Sequence, residues 1–264
     1  MDSTAAAALL GGAVAGLGGL LVPRMIALVP PWEPPPPEES EDSVESGQSD
    51  EHQLSEADAT VDATDGSEEA PEPYADIAAL PGLAWKSAVV CLVTGVVVGS
   101  AVGWEWAWAL WVPFVPVYVA LAVIDWRTRI LPTYLIRPTL VALAALVLAG
   151  WAVTGDGHAV LRSGLGLVVC GAFYLLLWLI YPRGLGFGDV RLSSPLGLAL
   201  GWIGWGPVLV GVYAGFLLGG VIGGLLAVIK IVERKGFPFG PFMLLGALVG
   251  LLWGESLWSG LVGG

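Results

Sequence analysis

Among the 264 residues of this chain, two carboxylates stand where an acid needs a reason. Asp125 closes an apolar run, Leu-Ala-Val-Ile-Asp125-Trp-Arg, and Asp189 lies in Gly-Leu-Gly-Phe-Gly-Asp189-Val-Arg, just ahead of another. An acid at the edge of a long apolar segment is expensive to desolvate. Asp125 ends a helix, where the negative end of the macrodipole disfavours an anion. Asp189 follows Gly184, Gly186 and Gly188, which let the backbone unwind or approach a substrate, and it precedes a helix whose N-terminal end favours it. Two carboxylates brought close together do not both ionise cheaply, so such a pair shares a proton. The ionised member then activates water while the protonated member polarises a carbonyl. The competing reading is structural: Asp125 pairs with Arg127 or Arg129, and Asp189 with Arg191.

A third segment, Gly236-Phe-Pro-Phe-Gly-Pro241, cannot form a regular helix and exposes backbone groups beside an apolar run. It reads either as a rigid loop between two spans or as a cradle for an extended chain. The other reactive residue types carry less. His52 sits in an acidic stretch and His158 in a Gly-flanked loop, too few and too far apart for a catalytic or metal cluster. Cys91 and Cys170 each lie inside an apolar run without Cys or His at ligand spacing, and are expected to be small buried residues. Neither a metal nor a cofactor is expected.

Membrane helices must position these groups. The chain is 56% apolar and 13% charged, with 38 Gly and 13 Trp, against about 45–50% apolar and about 25% charged in soluble domains. The net charge of −12 misleads, because 16 of the 23 acids fall between Glu33 and Asp76, and the rest of the chain is basic at +4. This composition excludes a nucleic-acid binder, a disulfide scaffold and a single globular domain. A spanning helix takes about 20 apolar residues. Such runs occur near Ala5 to Ile26, Ser87 to Gly103, Ala107 to Ile124, Thr133 to Val153, Ala159 to Ile180, Leu192 to Ile203, Val208 to Ile229 and Phe242 to Trp258. The expected fold is all-α, a polytopic transmembrane helix bundle of about eight spans, the sixth short at roughly 12 residues or 18 Å unless it continues through the polar segment before it.

Lys and Arg set the orientation. Arg24 and Lys86 flank the acidic stretch; Arg127, Arg129 and Arg137 follow the third span, Arg183 and Arg191 the fifth, and Lys230, Arg234 and Lys235 the seventh. The alternate loops have no such residue except Arg162. By the positive-inside rule the basic loops, and with them both Asp residues, face the cytoplasm and both termini lie outside. Trp104, Trp106, Trp108, Trp151, Trp202, Trp205, Trp253 and Trp258 fall at the outer ends, as an interfacial belt would. The first run lacks a basic flank and is expected to be a retained span, residues 1–29. Residues 30–81, Pro-rich and then acidic without an apolar period, are expected to be a disordered cytoplasmic linker. Residues 82–264 form the main membrane domain.

At these motifs the sequence resembles the type IV prepilin peptidase (leader peptidase) family of integral-membrane aspartic proteases. That family carries a first Asp followed by a basic turn and Ile-Pro, a second Asp in Gly-x-Gly-Asp followed by Val-Lys-Leu, and a Pro-x-Gly-Pro turn. Here these read Asp125-Trp-Arg-Thr-Arg129-Ile-Leu-Pro132, Gly186-Phe-Gly188-Asp189-Val-Arg191-Leu and Pro238-Phe-Gly240-Pro241. The resemblance spans roughly Ser87 to Trp258. It implies that Asp125 and Asp189 are the catalytic pair and that the other numbered motif residues bind substrate or shape the site. It further implies a multi-pass protein of the cell membrane, acting without cofactor at the cytoplasmic face. The partners it implies are prepilins or pseudopilins with short basic leaders, commonly cut after a Gly, together with the lipid bilayer and no nucleic acid.

Two departures are mild: Arg191 replaces the usual Lys, and Thr133 stands where Asp or Asn often follows Ile-Pro. A larger one concerns the stretch between the first two spans, where many relatives have paired Cys-x-x-Cys motifs associated with N-methylation. The acidic linker here has no Cys, so a protease without methyltransferase activity is expected. Two other readings remain open on the residues alone. One is a cation- or proton-coupled transporter using the same two acids, which would want polar groups at mid-span. The other is a Gly-x-Gly-Asp protease acting on signal peptides.

Overall fold

The computed structural model describes residues 2–31, 72–182, 184–228 and 238–262. Among these residues the chain is built from helices alone, as its apolar runs require. They are α1 (Ser3–Gly19), α2 (Val22–Ala27), α3 (Tyr74–Ala78), α4 (Leu83–Val102), α5 (Trp106–Trp111), a 3-10 turn (Val112–Phe114), α6 (Val115–Thr128), α7 (Thr133–Thr154), α8 (Gly157–Ile180), α9 (Phe187–Ile203), α10 (Trp205–Val228) and α11 (Gly240–Val262). Five segments are long and apolar enough to cross a membrane, Leu83–Val102, Trp106–Thr128, Thr133–Thr154, Gly157–Ile180 and Gly240–Leu261, with shorter apolar helices at Ser3–Gly19 and Trp205–Val221. The chain is a polytopic membrane helix bundle.

Prolines break two of the expected spans. The run from Ala5 to Ile26 divides at Leu20 and Leu21, because Pro23 lacks the N–H that would continue the ladder and its ring crowds the carbonyl four residues back. Pro113 and Pro116 likewise interrupt the third span with the 3-10 turn between α5 and α6.

Three helix pairs pack most closely: α1 with α4, α8 with α9, and α10 with α11. Lipid tails are as apolar as leucine, so helices in a bilayer associate through close van der Waals contact at small residues. A Cβ on Gly11 would lie 2.6 Å from the Gly95 carbonyl oxygen, and one on Gly250 would lie 2.7 Å from Gly211 Cα. The short sixth span does continue backwards, as α9, to Phe187. Its 17 residues reach about 26 Å. It is buried along most of its length against α7, α8, α10 and α11, so it is the bundle's internal helix. On the other side of the site α6 packs against α1, α2, α4 and α11.

The linker expected over residues 30–81 gives way to structure at its end. Tyr74 and Ile77 of α3 are buried in a satellite core with Val22 and Ile26 of α2 and Ile124 of α6. Arg127 ties the preceding residue Glu72 to α6 through two hydrogen bonds of 2.7 and 2.8 Å. A five-residue helix inside an acid-rich stretch shows too little periodicity to be read from sequence. The body of the expected linker, residues 32–71 with His52, lies outside the described residues. So do Arg183, Lys230, Arg234, Lys235, Gly236 and Phe237.

At the end of the bundle away from the two Asp residues the tryptophans divide into two kinds. Trp104, Trp151 and Trp253 are exposed, as a belt requires. Trp106 and Trp108 instead turn inward, their indole N–H groups donating to the carbonyls of Leu146 at 2.9 Å and Ala7 at 3.2 Å. Arg162, the lone base at this end of α8, donates to the carbonyls of Gly201 (2.7 Å), Trp202 (2.6 Å) and Ile203 (3.2 Å) and so caps α9. Cys91 and Cys170 are buried and unpaired.

Candidate active site

Both carboxylates sit at the N-terminal end of a helix, and in each case a glycine of the expected motifs supplies the N–H. Asp189 is the third residue of α9; the N–H of Gly186 donates to its Oδ2 at 3.1 Å, while its own N–H donates back to the Gly186 carbonyl at 3.0 Å. Asp125 lies in the last turn of α6, an unfavourable end for an anion. The compensation comes from a different helix: Gly240, which opens α11, donates its N–H to Asp125 Oδ2 at 2.9 Å. The helix-end fields that oppose each other at Asp125 are thereby balanced by tertiary packing rather than by local sequence.

Asp125 and Asp189 are 3% and 5% exposed, and each carboxylate lies within electrostatic reach of the other. Asp189 Oδ1 is buried and accepts no hydrogen bond among the described residues. The alternative pairings with arginine divide. Arg127 is engaged with Glu72, and Arg191 donates to Thr133 Oγ1 at 2.6 Å while lying 4.8 Å from the Phe187 ring centroid. Of these three arginines, Arg129 brings its charge to bear on Asp125. It has φ of 58°, a left-handed conformation uncommon for a residue with a side chain, and its N–H closes α6 on the Asp125 carbonyl at 2.8 Å. That turn sends the chain into Leu131 and Pro132, and Pro132 caps the start of α7.

Leu131 was not singled out by sequence, and it joins the three motifs. A Cβ on Gly188 would lie 2.8 Å from Leu131 Cβ, and one on Gly240 would lie 3.4 Å from Leu131 Cδ1 and 2.8 Å from Asp125 Oδ2. Gly188 and Gly240 are therefore glycines because Leu131 and the Asp125 carboxylate occupy the space of a side chain. Pro238 and Phe239 are buried, and the N–H groups of Phe242 and Met243 close the first turn of α11 on the Phe239 carbonyl at 3.1 Å each. Of the expected site residues, Asp125, Asp189, Gly186, Gly188, Arg129 and Gly240 come together. Pro132, Pro238 and Pro241 shape the turns that deliver them. Arg191 joins α9 to α7 and takes no part in the carboxylate contacts that describe the pair. Among the described residues no cluster of His, Cys, Asp and Glu is arranged to hold a metal ion.

Residues 110–228 match the model of the Type IV leader peptidase family. The chain is similar to the "Prepilin leader peptidase/N-methyltransferase" of Aeromonas salmonicida, 32% identical over 151 residues, covering 53% of this chain and 48% of that protein. It is likewise 32% identical over 176 residues to the protein of that name from Aeromonas hydrophila, covering 63% and 56%. To the one from Escherichia coli it is 31% identical over 139 residues, covering 50% and 58%. The chain thus spans about half the length of the curated relatives it matches. No solved structure matches it. The matched region runs from α5 to α10 and contains both carboxylates with the loop between α6 and α7, so the likeness to the Type IV leader peptidase family covers the site itself.

Proposed function

We propose that the chain is an intramembrane aspartic endopeptidase that removes the short basic leader from type IV prepilins or pilin-like proteins at the cytoplasmic face of the cell membrane. One observation carries the reading: two buried carboxylates, from helices distant in sequence, are each held through one oxygen by a glycine N–H at one end of the bundle. One carboxyl acts as general base toward water and the other as general acid toward the scissile carbonyl. Gly186 brings its backbone N–H to Asp189, and Gly188 accommodates Leu131 of the facing loop. The orientation follows from the basic residues that accompany both carboxylates. The absence of Cys from the sequence between α2 and α4 supports a protease without N-methyltransferase activity.

The test mixes membranes containing wild type, Asp125→Asn or Asp189→Asn with a panel of prepilins and reads the products by mass spectrometry. Cleavage by the wild type at the leader junction and none by either variant is expected; cleavage retained in one variant would remove that residue from the pair. Ion flux in proteoliposomes that depends on Asp125, without cleavage, would replace this reading by a transporter.

A further inference from the structure

Tyr174 belongs to none of the three motifs, yet it stands between two of them. The antiparallel register of α8 and α9 is fixed on both sides of it. A Cβ on Gly171 would lie 3.3 Å from Ser194 Oγ, and the rings of Trp178 and Phe187 meet edge-on at 5.1 Å. Tyr174 falls between these contacts, across from the first turn of α9, and the charge of Asp189 reaches it. On its other flank its ring meets that of Phe239 edge-on at 6.1 Å. Phe239 immediately precedes Gly240, whose N–H holds Asp125.

The side chain of Tyr174 is 2% exposed. A buried tyrosine hydroxyl finds a hydrogen-bond partner as a rule. It borders a small apolar cavity together with Ser193 and Met243. Ser193 donates its own hydroxyl hydrogen to the Val190 carbonyl at 2.7 Å, so it has none to give toward α8. Asp189 lies one helical turn before Ser193 on α9, and its Oδ1 is buried and without a donor among the described residues. A buried acceptor left without a partner is unfavourable, whereas a phenol can donate to a carboxylate in either of its protonation states.

We propose that Tyr174 is a positioning residue for the carboxylate pair: its ring seats the Pro-Phe-Gly-Pro turn beside α9, and its hydroxyl donates to Asp189 Oδ1 when the carboxylates close on a peptide bond. It holds Asp189 in the orientation the reaction needs while Gly240 holds Asp125. The inference rests on the peptidase reading above.

The experiment measures kcat and KM for prepilin cleavage and the melting temperature of wild type and Tyr174→Phe, with Asp189→Asn alongside. Tyr174→Phe keeps the ring and removes only the hydroxyl. A fall in kcat of about tenfold or more is expected, with KM within about twofold and the melting temperature unchanged. An undiminished kcat would overturn the proposal, and so would a loss of rate matched by a loss of stability, which would make Tyr174 a packing residue. If the wild type itself cleaves no prepilin, the peptidase reading fails and this inference with it. Wild-type cleavage with an unaffected Tyr174→Phe defeats the inference alone.

Discussion

The N–H of Gly240 donates to Oδ2 of Asp125 at 2.9 Å across 115 positions of sequence. One hydrogen bond therefore joins the last turn of α6 to the first residue of α11, and it reconciles a carboxylate with a helix end that would otherwise oppose its charge.

Gly240→Ala keeps the N–H but places a methyl group 2.8 Å from Asp125 Oδ2 and 3.2 Å from its Cγ. The carboxylate must move, and displacement of a reacting group by about 1 Å is enough to lower a rate by about 100-fold. Prepilin cleavage is expected to fall by that order. Gly164→Ala is the control, because a Cβ there meets nothing within 4 Å. Equal rates for the two alanine variants would show that Asp125 tolerates displacement.

Gly188→Ala acts on the neighbouring loop. Its Cβ would meet Leu131 Cβ at 2.8 Å and Leu131 N at 3.4 Å, so the clash is with the root of a side chain and cannot be relieved by a rotamer change. Cleavage by Gly188→Ala is expected to drop by about tenfold or more. The double variant Gly188→Ala with Leu131→Gly removes the opposing Cβ and is expected to recover part of that loss. A double variant no better than the single one would place the origin of the defect elsewhere.

What could be read from sequence follows from the range of each interaction. Long apolar runs specify helices locally, so the spans were legible, and an acid beside such a run is conspicuous whatever its partner. Pro23 and Pro113 were equally local signals for the breaks at Leu21 and Val112. Partners supplied by another helix left no such trace. Nothing around Asp125 points to Gly240, and nothing around Arg191 points to Thr133. Leu131 and Tyr174 are apolar or amphipathic residues among many, distinguished only by where the packing of α6, α8, α9 and α11 brings them. Arg162 read as an exception to the charge pattern until the end of α9 was beside it.

The contacts that dock α3 are unequal. The Arg127 and Glu72 side chains are 41% and 31% exposed, so their ion pair contributes no more than about 1 kcal/mol. Ile77 is fully buried among Val22, Ile26 and Ile124, and its truncation to Ala is expected to destabilise by about 2–4 kcal/mol. Limited proteolysis between residues 72 and 82 is therefore expected to accelerate in Ile77→Ala and to stay near the wild-type rate in Glu72→Gln. The reverse order would make the ion pair the principal anchor.

Arg162 carries a prediction about stability rather than chemistry. Its guanidinium satisfies three carbonyls at the end of α9, where a helix leaves acceptors without intrahelical donors and lipid supplies none. Hydrogen bonds from a charged donor contribute about 1.5–3 kcal/mol each in favourable settings, but the three share one side chain and are not additive. Arg162→Met keeps the aliphatic length and leaves all three carbonyls uncapped, with an expected loss of about 2–4 kcal/mol. Arg162→Lys, a compact charge without the planar fork, is expected to fall between the two. The measurement is the melting temperature in a lipid nanodisc, with cleavage assayed well below it. Because the cap lies at the end of α9 away from Asp189, the low-temperature rate should remain near wild type while the melting temperature falls. A rate lost at low temperature with stability intact would instead tie Arg162 to the carboxylate pair through the length of α9.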